Sequence, residues 1–225
     1  MNDERRARSL RGLYAITPEV DETDRLVALV RDCIAGGAAA VQYRAKALSD
    51  EARHEQALRL RALCRARGVP LIVNDSVALA LAVDADGVHL GRDDGEVRAA
   101  RGALGNRIVG VSCYDELGRV RAAAAAGADY VAIGSVFPSS TKPEAVHAPL
   151  ALLAAAKGAT ALPVVAIGGI TGANAARAIA AGADMVAVLS AIFGASDVET
   201  AARAIARLFD ARHGENDVRA QPRTV

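Results

Sequence analysis

The stretch Val164-Val165-Ala166-Ile167-Gly168-Gly169-Ile170-Thr171 carries an unbroken apolar run into a pair of glycines. A half-exposed strand alternates apolar and polar residues, whereas a strand covered on both faces is apolar throughout, so this run predicts a parallel strand from Val164 to Ile170. Working outward, similar runs predict strands at Gly12 to Thr17, Ala39 to Arg44, Leu71 to Asp75, Gly87 to Gly91, Ile108 to Cys113, Tyr130 to Val136 and Met185 to Ile192. Each is followed by an Ala-rich, Arg-punctuated segment with helical spacing, the alternation of parallel strands joined by helices. The pattern predicts an α/β fold, a (β/α)8 TIM barrel with an eight-stranded parallel sheet. A doubly wound open sheet is the alternative, but its GxGxxG phosphate fingerprint follows none of these strands.

The helices supply the other half of the pattern. Leu26, Leu29, Val30, Cys33 and Ile34 form one apolar stripe, and Val198, Ala201, Ala202, Ile205 and Leu208 nearly repeat its spacing. Ser196 and Glu199 make an S-x-x-E pattern that predicts a capping box on the last helix. Three related turns, Ala85-Asp86-Gly87-Val88, Gly127-Ala128-Asp129-Tyr130 and Gly182-Ala183-Asp184-Met185, each close a helix and open a strand. The expected organisation is a charged N-terminal segment (1–11), one catalytic barrel domain (12–212), and a polar tail (213–225) without apolar periodicity, expected to lack order.

Composition narrows the function. The chain has 225 residues, 52% of them hydrophobic, enough for one substantial core. Lys and Arg number 27 against 26 Asp and Glu, so no global field draws the protein to nucleic acid or an anionic membrane, and any anion site is local. Cys33, Cys64 and Cys113 contain no CxxC pair, which argues against a zinc cage or a disulfide framework and for a reducing compartment. With neither a signal-like h-region nor a membrane-length apolar stretch, the cytoplasm is the expected location.

In a barrel of this kind, chemistry sits at the carboxyl ends of the strands. Gln42, Arg44 and Lys46 are spaced by two and would share a face if the second strand ran that far, bringing two cations and an amide to the mouth. Asn74-Asp75 closes the third strand, and Arg92-Asp93-Asp94 follows the fourth. Asp75 and Asp94 could hold a magnesium ion, which takes a few carboxylates plus substrate phosphate oxygens, or could simply cap helices. Asp93 is the weaker candidate ligand. Ser112, on the fifth strand, could donate to a substrate oxygen or satisfy a backbone carbonyl.

After the sixth strand, Phe137-Pro138-Ser139-Ser140-Thr141-Lys142-Pro143-Glu144 reads as a hydroxyl-rich loop with one lysine, either an ordinary polar connection or a cover for the mouth. Gly168 and Gly169, paired with Val188-Leu189-Ser190-Ala191 across the last two strands, match the fold's usual phosphate loops, where bare amides and a helix N-terminus near Ser190 favour an anion. His89 could be a hydrogen-bonded core residue or could face the site; His54 and His213 read as solvated. No Ser-His-Asp or Cys-His grouping, HExxH or GxxxxGK[ST] motif is present.

Taken together, Gln42-x-Arg44-x-Lys46, Asn74-Asp75, Gly87-Val88-His89-Leu90-Gly91-x-Asp93-Asp94, Gly110-Val111-Ser112, Pro138-Ser139-Ser140-Thr141-Lys142 and Ile167-Gly168-Gly169-Ile170 resemble the thiamine phosphate synthase family, in the same order, from about Leu13 to Phe209. The resemblance implies a transferase that couples a hydroxymethylpyrimidine diphosphate to a thiazole phosphate, releasing pyrophosphate. It implies Asp75 and Asp94 as ligands of Mg2+. Gln42, Arg44, Lys46, Asn74, Ser112 and Lys142 would bind the pyrimidine diphosphate, with Arg44, Lys46, Ser112 and Lys142 also catalytic. Ser139, Ser140 and Thr141 would meet the thiazole, and Gly169, Leu189 and Ser190 its phosphate.

Partners are then small phosphorylated molecules, with a homo-oligomer left open. Two positions depart from the family pattern: Arg92 where Gln is frequent, and Ser139 where Thr is common. The related thiazole tautomerase and a non-catalytic phosphate-binding module are the rival readings, and Lys46, Asp75 and Asp94 favour the synthase.

Overall fold

The computed structural model describes residues 10–138 and 146–218, with side chains to 210. The strands are β1 (Gly12–Ile16), β2 (Ala38–Tyr43), β3 (Leu71–Asn74), β4 (Gly87–Leu90), β5 (Ile108–Tyr114), β6 (Tyr130–Ile133), β7 (Val164–Ile167) and β8 (Met185–Val188). They pair in sequence order, all parallel, and β8 returns to β1 to close the barrel. The fold is thus a closed βα barrel, and the open-sheet alternative is excluded.

The helices among the described residues are α1 (Thr23–Ala35), α2 (Asp50–Ala66), α3 (Val77–Ala82), α4 (Val97–Leu104), α5 (Leu117–Ala125), α6 (Ala151–Ala159), α7 (Ala175–Ala180), α8 (Ser190–Phe193) and α9 (Val198–Val218). The expected stripe on α1 packs inward through Leu26, Val30, Cys33 and Ile34. On α9, Val198, Ala202, Ile205 and Phe209 are buried.

Alternating strand residues divide the apolar core in two. One set faces the helices, with Leu13, Val41, Val73, Val88, Val111, Val131 and Val186 packed against the inward helix stripes. The other fills the ring, with Tyr14, Ile16, Ala40, Ile72, Tyr130, Ala132, Val165, Met185 and Ala187. Leu10 joins this second cluster just ahead of β1.

The three Asp-bearing turns do the same job. Asp86, Asp129 and Asp184 accept the backbone N–H of Leu71 (2.8 Å), Val109 (2.7 Å) and Val164 (2.8 Å), the opening or second residue of the neighbouring strand. Each is also paired with a cation, Arg61, Arg101 and Lys157 respectively. The repeat read from sequence is therefore a strand-opening clamp used three times.

Several expectations need correction. Predicted strands ending at Thr17, Arg44, Asp75, Gly91, Val136, Ile170 and Ile192 stop earlier; Val136 and Ile170 are buried beyond the regular ladder, Val136 N still donating to the Ile167 carbonyl at 2.9 Å, and Ser190–Phe193 is helical. β5 instead extends one residue further, to Tyr114. The Ser196–Glu199 capping box does not form: Asp197 accepts from Thr200 N at 2.9 Å, while Glu199 pairs with Arg203. The final helix also runs past His213 to Val218, since an established helix can propagate through polar residues without an apolar stripe. Residues 219–225 lie outside the described residues.

Candidate active site

Immediately after β3, Asp75 takes a left-handed backbone conformation (φ 65°), and its N–H donates to the carbonyl of His89 at 2.8 Å. This pins the β3 loop to β4. Ser76, not Asp75, caps α3, its hydroxyl accepting from Leu79 N at 3.1 Å. Asp94 accepts from Gly91 N at 2.7 Å, and α4 begins only after Glu96. Neither aspartate is used as a helix cap.

The two carboxyls meet at the rim. Burial, then the side-chain contact with Asp75, raises the Asp94 carboxyl above its ordinary value. Lys46 Nζ lies 2.9 Å from Asp75 Oδ2, which gives an ion pair linking the loops after β2 and β3. Two crowded carboxyls are hard oxygen donors whose mutual repulsion a divalent cation would relieve, and no third His, Cys, Asp or Glu completes a metal cage among the described residues. This donor set fits an ion that draws its remaining ligands from a phosphorylated substrate.

The second strand supplies its groups differently from the spacing argument. β2 ends at Tyr43, so Arg44 and Lys46 belong to the loop, while Gln42 stays inside the ring at 3% exposure. The loop is held by the one after β1: Thr17 Oγ1 accepts from Arg44 N at 2.9 Å, and Glu19 accepts from the backbone N–H groups of Lys46 and Ala47. Those two hydrogen bonds and the nearby Arg44 and Lys46 charges lower the Glu19 carboxyl. Glu19 was not singled out from sequence, where a surface glutamate after a strand carries no signal of its own.

Ser112 neither bonds a backbone carbonyl nor stands alone. Its hydroxyl lies 2.8 Å from His89 Nε2, and His89 Nδ1 lies 2.9 Å from the Tyr130 hydroxyl. Tyr130 is hydrogen bonded to Tyr14 at 2.8 Å, and Gln42 Nε2 donates to the Tyr14 hydroxyl at 2.8 Å. His89 is thus a hydrogen-bonded core histidine, with burial lowering its pKa to about 4 against the opposing pull of Asp94. Tyr14 and Tyr130 were missed as polar residues; the available signal was Gly110 in mid-strand, since a glycine there marks close approach. It pairs in register with Tyr130, and any Cβ on it would run into the Tyr130 ring.

Across the mouth, Gly168 (φ 98°) and Gly169 (φ 61°) turn the chain out of β7. A side chain at Gly169 would collide with the carbonyls of Phe137 and Pro138, so these glycines also admit the β6 loop. Ser190 opens α8, which is only four residues long. Of the two departures, Arg92 is turned toward the β5 loop, pairing with Glu116 and lying 4.9 Å from the Tyr114 ring centre. Ser139, Ser140, Thr141 and Lys142 lie outside the described residues. A separate groove of about 470 Å³, lined by Glu19, Asp21, Arg25, Leu29 and Phe193 among others, contains none of the expected site residues.

The family model described as thiamine monophosphate synthase matches residues 13–192. The chain belongs to the thiamine monophosphate synthase family. It is similar to the thiamine-phosphate synthase of Thiobacillus denitrificans, 58% identical over 91% of this chain and 97% of that one. It is 56% identical to that of Aromatoleum aromaticum, over 90% and 98% of the two chains. The solved thiamine phosphate pyrophosphorylase of Pyrococcus furiosus shares 38% identity and superposes with a TM-score of 0.82, covering 91% of this chain and 98% of its own. Family membership makes the protein a transferase of thiamine biosynthesis. Among the described residues no helix is long and apolar enough to cross a membrane.

Proposed function

We propose that this protein couples 4-amino-2-methyl-5-hydroxymethylpyrimidine diphosphate to a thiazole phosphate, plain or carboxylated, yielding thiamine phosphate and pyrophosphate in the cytosol. The supporting observation is the meeting of Lys46, Asp75 and Asp94 on one rim of the barrel. Asp75 and Asp94 would hold Mg2+, which would neutralise charge on the pyrophosphate as it leaves.

The chain's own residues do the rest. Arg44 and Lys46, with Lys142, stabilise negative charge that grows on the diphosphate as its bond to the pyrimidine methylene carbon breaks, so their effect is larger in the transition state than before it. Both bonding electrons leave with the diphosphate oxygen. The thiazole nitrogen then donates its lone pair to the resonance-stabilised pyrimidine cation, forming the new carbon–nitrogen bond. No general base is needed. Gln42, Asn74 and Ser112 orient the pyrimidine diphosphate, Ser139, Ser140 and Thr141 the thiazole, and Gly169, Leu189 and Ser190 its phosphate.

The test is to incubate the purified protein with both substrates and Mg2+ and to follow thiamine phosphate by fluorescence after oxidation. Product is expected with Mg2+ and not in EDTA. Asp75→Ala should lower turnover on the order of 100-fold, about 2.7 kcal/mol of transition-state stabilisation, while leaving the fold intact. Interconversion of thiazole tautomers without coupling would instead establish the tautomerase reading.

A further inference from the structure

Gln42 and Ser112 stand three strands apart in the ring, on β2 and β5, yet one unbroken chain of hydrogen bonds joins them through its interior. The three middle members are buried, Tyr14 at 1% exposure, Tyr130 at 0% and His89 at 6%. Their rings are packed against one another, Tyr14 edge-on to Tyr130 (88°) and His89 stacked on Tyr130 (22°), so none can swing to another partner without disturbing the next. No buried side-chain nitrogen or oxygen lacks a partner among the described residues.

Such a chain has a direction. The Gln42 amide nitrogen can only donate, which makes the Tyr14 oxygen an acceptor there and sends its proton on to Tyr130. Tyr130 then has its own proton for His89 Nδ1. A neutral imidazole accepting at Nδ1 carries its proton at Nε2, and that proton goes to Ser112 Oγ. The Ser112 proton is left to point out of the column, and at the other end the Gln42 oxygen is left to accept. Burial raises both phenols above their ordinary value, which keeps them protonated as this order requires.

We propose that Tyr14, Tyr130 and His89 are positioning residues that hold Gln42 as a hydrogen-bond acceptor and Ser112 as a hydrogen-bond donor toward the pyrimidine diphosphate. The ligand named here rests on the function proposed above; the direction of the column does not. Three residues that touch no substrate thereby fix the polarity of two that do.

Two measurements test this. Nitrogen NMR of the histidine-labelled protein reads the His89 tautomer without substrate, and the Nε2–H form is expected. A reversed Gln42 amide would turn every donor round and place the proton on Nδ1; that form, or an imidazolium at neutral pH, overturns the proposal. The second is Tyr130→Phe, which removes the donor to Nδ1. It should mix the two His89 tautomers and raise KM for the pyrimidine diphosphate about tenfold, the worth of one lost hydrogen bond, with KM for the thiazole phosphate unchanged. Equal changes in both KM values, or none in either, would reduce the column to a packing feature and overturn the proposal. Wild-type protein that makes no thiamine phosphate would remove the ligand named here, while the tautomer would still decide the direction of the column.

Discussion

The barrel has two cores, built from alternate residues of the same strands. Outside the ring, strand valines and leucines meet the helix stripes in an apolar layer whose main polar exception is the Tyr43 hydroxyl donating to Gln56 Oε1 at 3.0 Å. Inside it, an apolar base of Leu10, Ile72, Ile108 and Met185 shares the ring with the column of Gln42, Tyr14, Tyr130, His89 and Ser112. The outer layer holds the elements together and tolerates any well-packed apolar set. The inner column is buried from Gln42 to His89 and half-buried at Ser112, but is specified by hydrogen bonds, so its members are coupled to one another and to the mouth. Stability and site geometry are thus assigned to opposite faces of each strand.

The largest effect separating the two cores belongs to the outer one. Leu60 on α2 is fully buried, and Leu60→Ala removes its packing and leaves a cavity, costing about 2–5 kcal/mol. Denaturant unfolding should show that loss while activity per folded molecule stays at the wild-type level. A change in KM for either substrate would mean that the two cores are not independent.

Acid should attack the inner core. Burial depresses the His89 pKa from 6.5 to about 4, so above pH 6.5 the residue is neutral folded or unfolded and costs nothing. As pH falls from about 6.5 to about 4, the unfolded chain binds a proton that the folded one refuses, and about 3 kcal/mol of stability is lost. His89→Gln, which cannot titrate, should lack that drop between pH 7 and 4.5 in denaturant midpoints; the same drop in both proteins would place the acid sensitivity elsewhere.

The difference between the cores also explains what could be read in advance. Apolar runs report burial, not pairing, so all eight strands were found, but Val136, Ile170 and Ile192 drew several ends too far. At the mouth, the sequence placed Lys46, Asp75 and Asp94 after neighbouring strands but left both aspartates as either ion ligands or helix caps, and only their positions in space bring the three together. Tyr14 and Tyr130 look like ordinary strand aromatics, and only their pairing with each other, 116 positions apart in sequence, reveals them as buried hydrogen-bonding hydroxyls. Glu19 was equally silent, since its role is to hold backbone N–H groups of the neighbouring loop, 27 and 28 positions on in sequence.

Gly110 sharpens the comparison at smaller cost. A methyl group there would push the Tyr130 ring aside, and overpacking of this kind costs about 1–3 kcal/mol. Unlike Leu60→Ala, Gly110→Ala should raise KM for the pyrimidine diphosphate, because the displaced phenol releases His89. Loss of stability with unchanged KM would show that the column can move as a body without affecting Ser112.

The smallest effect lies at the opposite end of the barrel from the mouth. Asp129 accepts from Val109 N and pairs with Arg101, whose guanidinium also reaches the carbonyls of Gly127 (2.9 Å) and Arg107 (2.7 Å). Asp129→Ala leaves the Val109 N–H without its carboxylate partner and should cost about 1–2 kcal/mol. The exposed Asp50–Arg53 pair provides the contrast, because removing a solvated carboxylate at a helix start should shift stability by less than about 1 kcal/mol. Both substitutions should leave the two KM values alone: Asp129 directly precedes Tyr130, but its carboxylate is engaged with Val109 N and Arg101 and not with the Tyr130 hydroxyl that the column uses. If Asp129→Ala changed KM, the change would have passed to the rim through the adjoining Tyr130 and His89, and the separation of a stabilising face from a functional one would fail along the strand axis as well as across it.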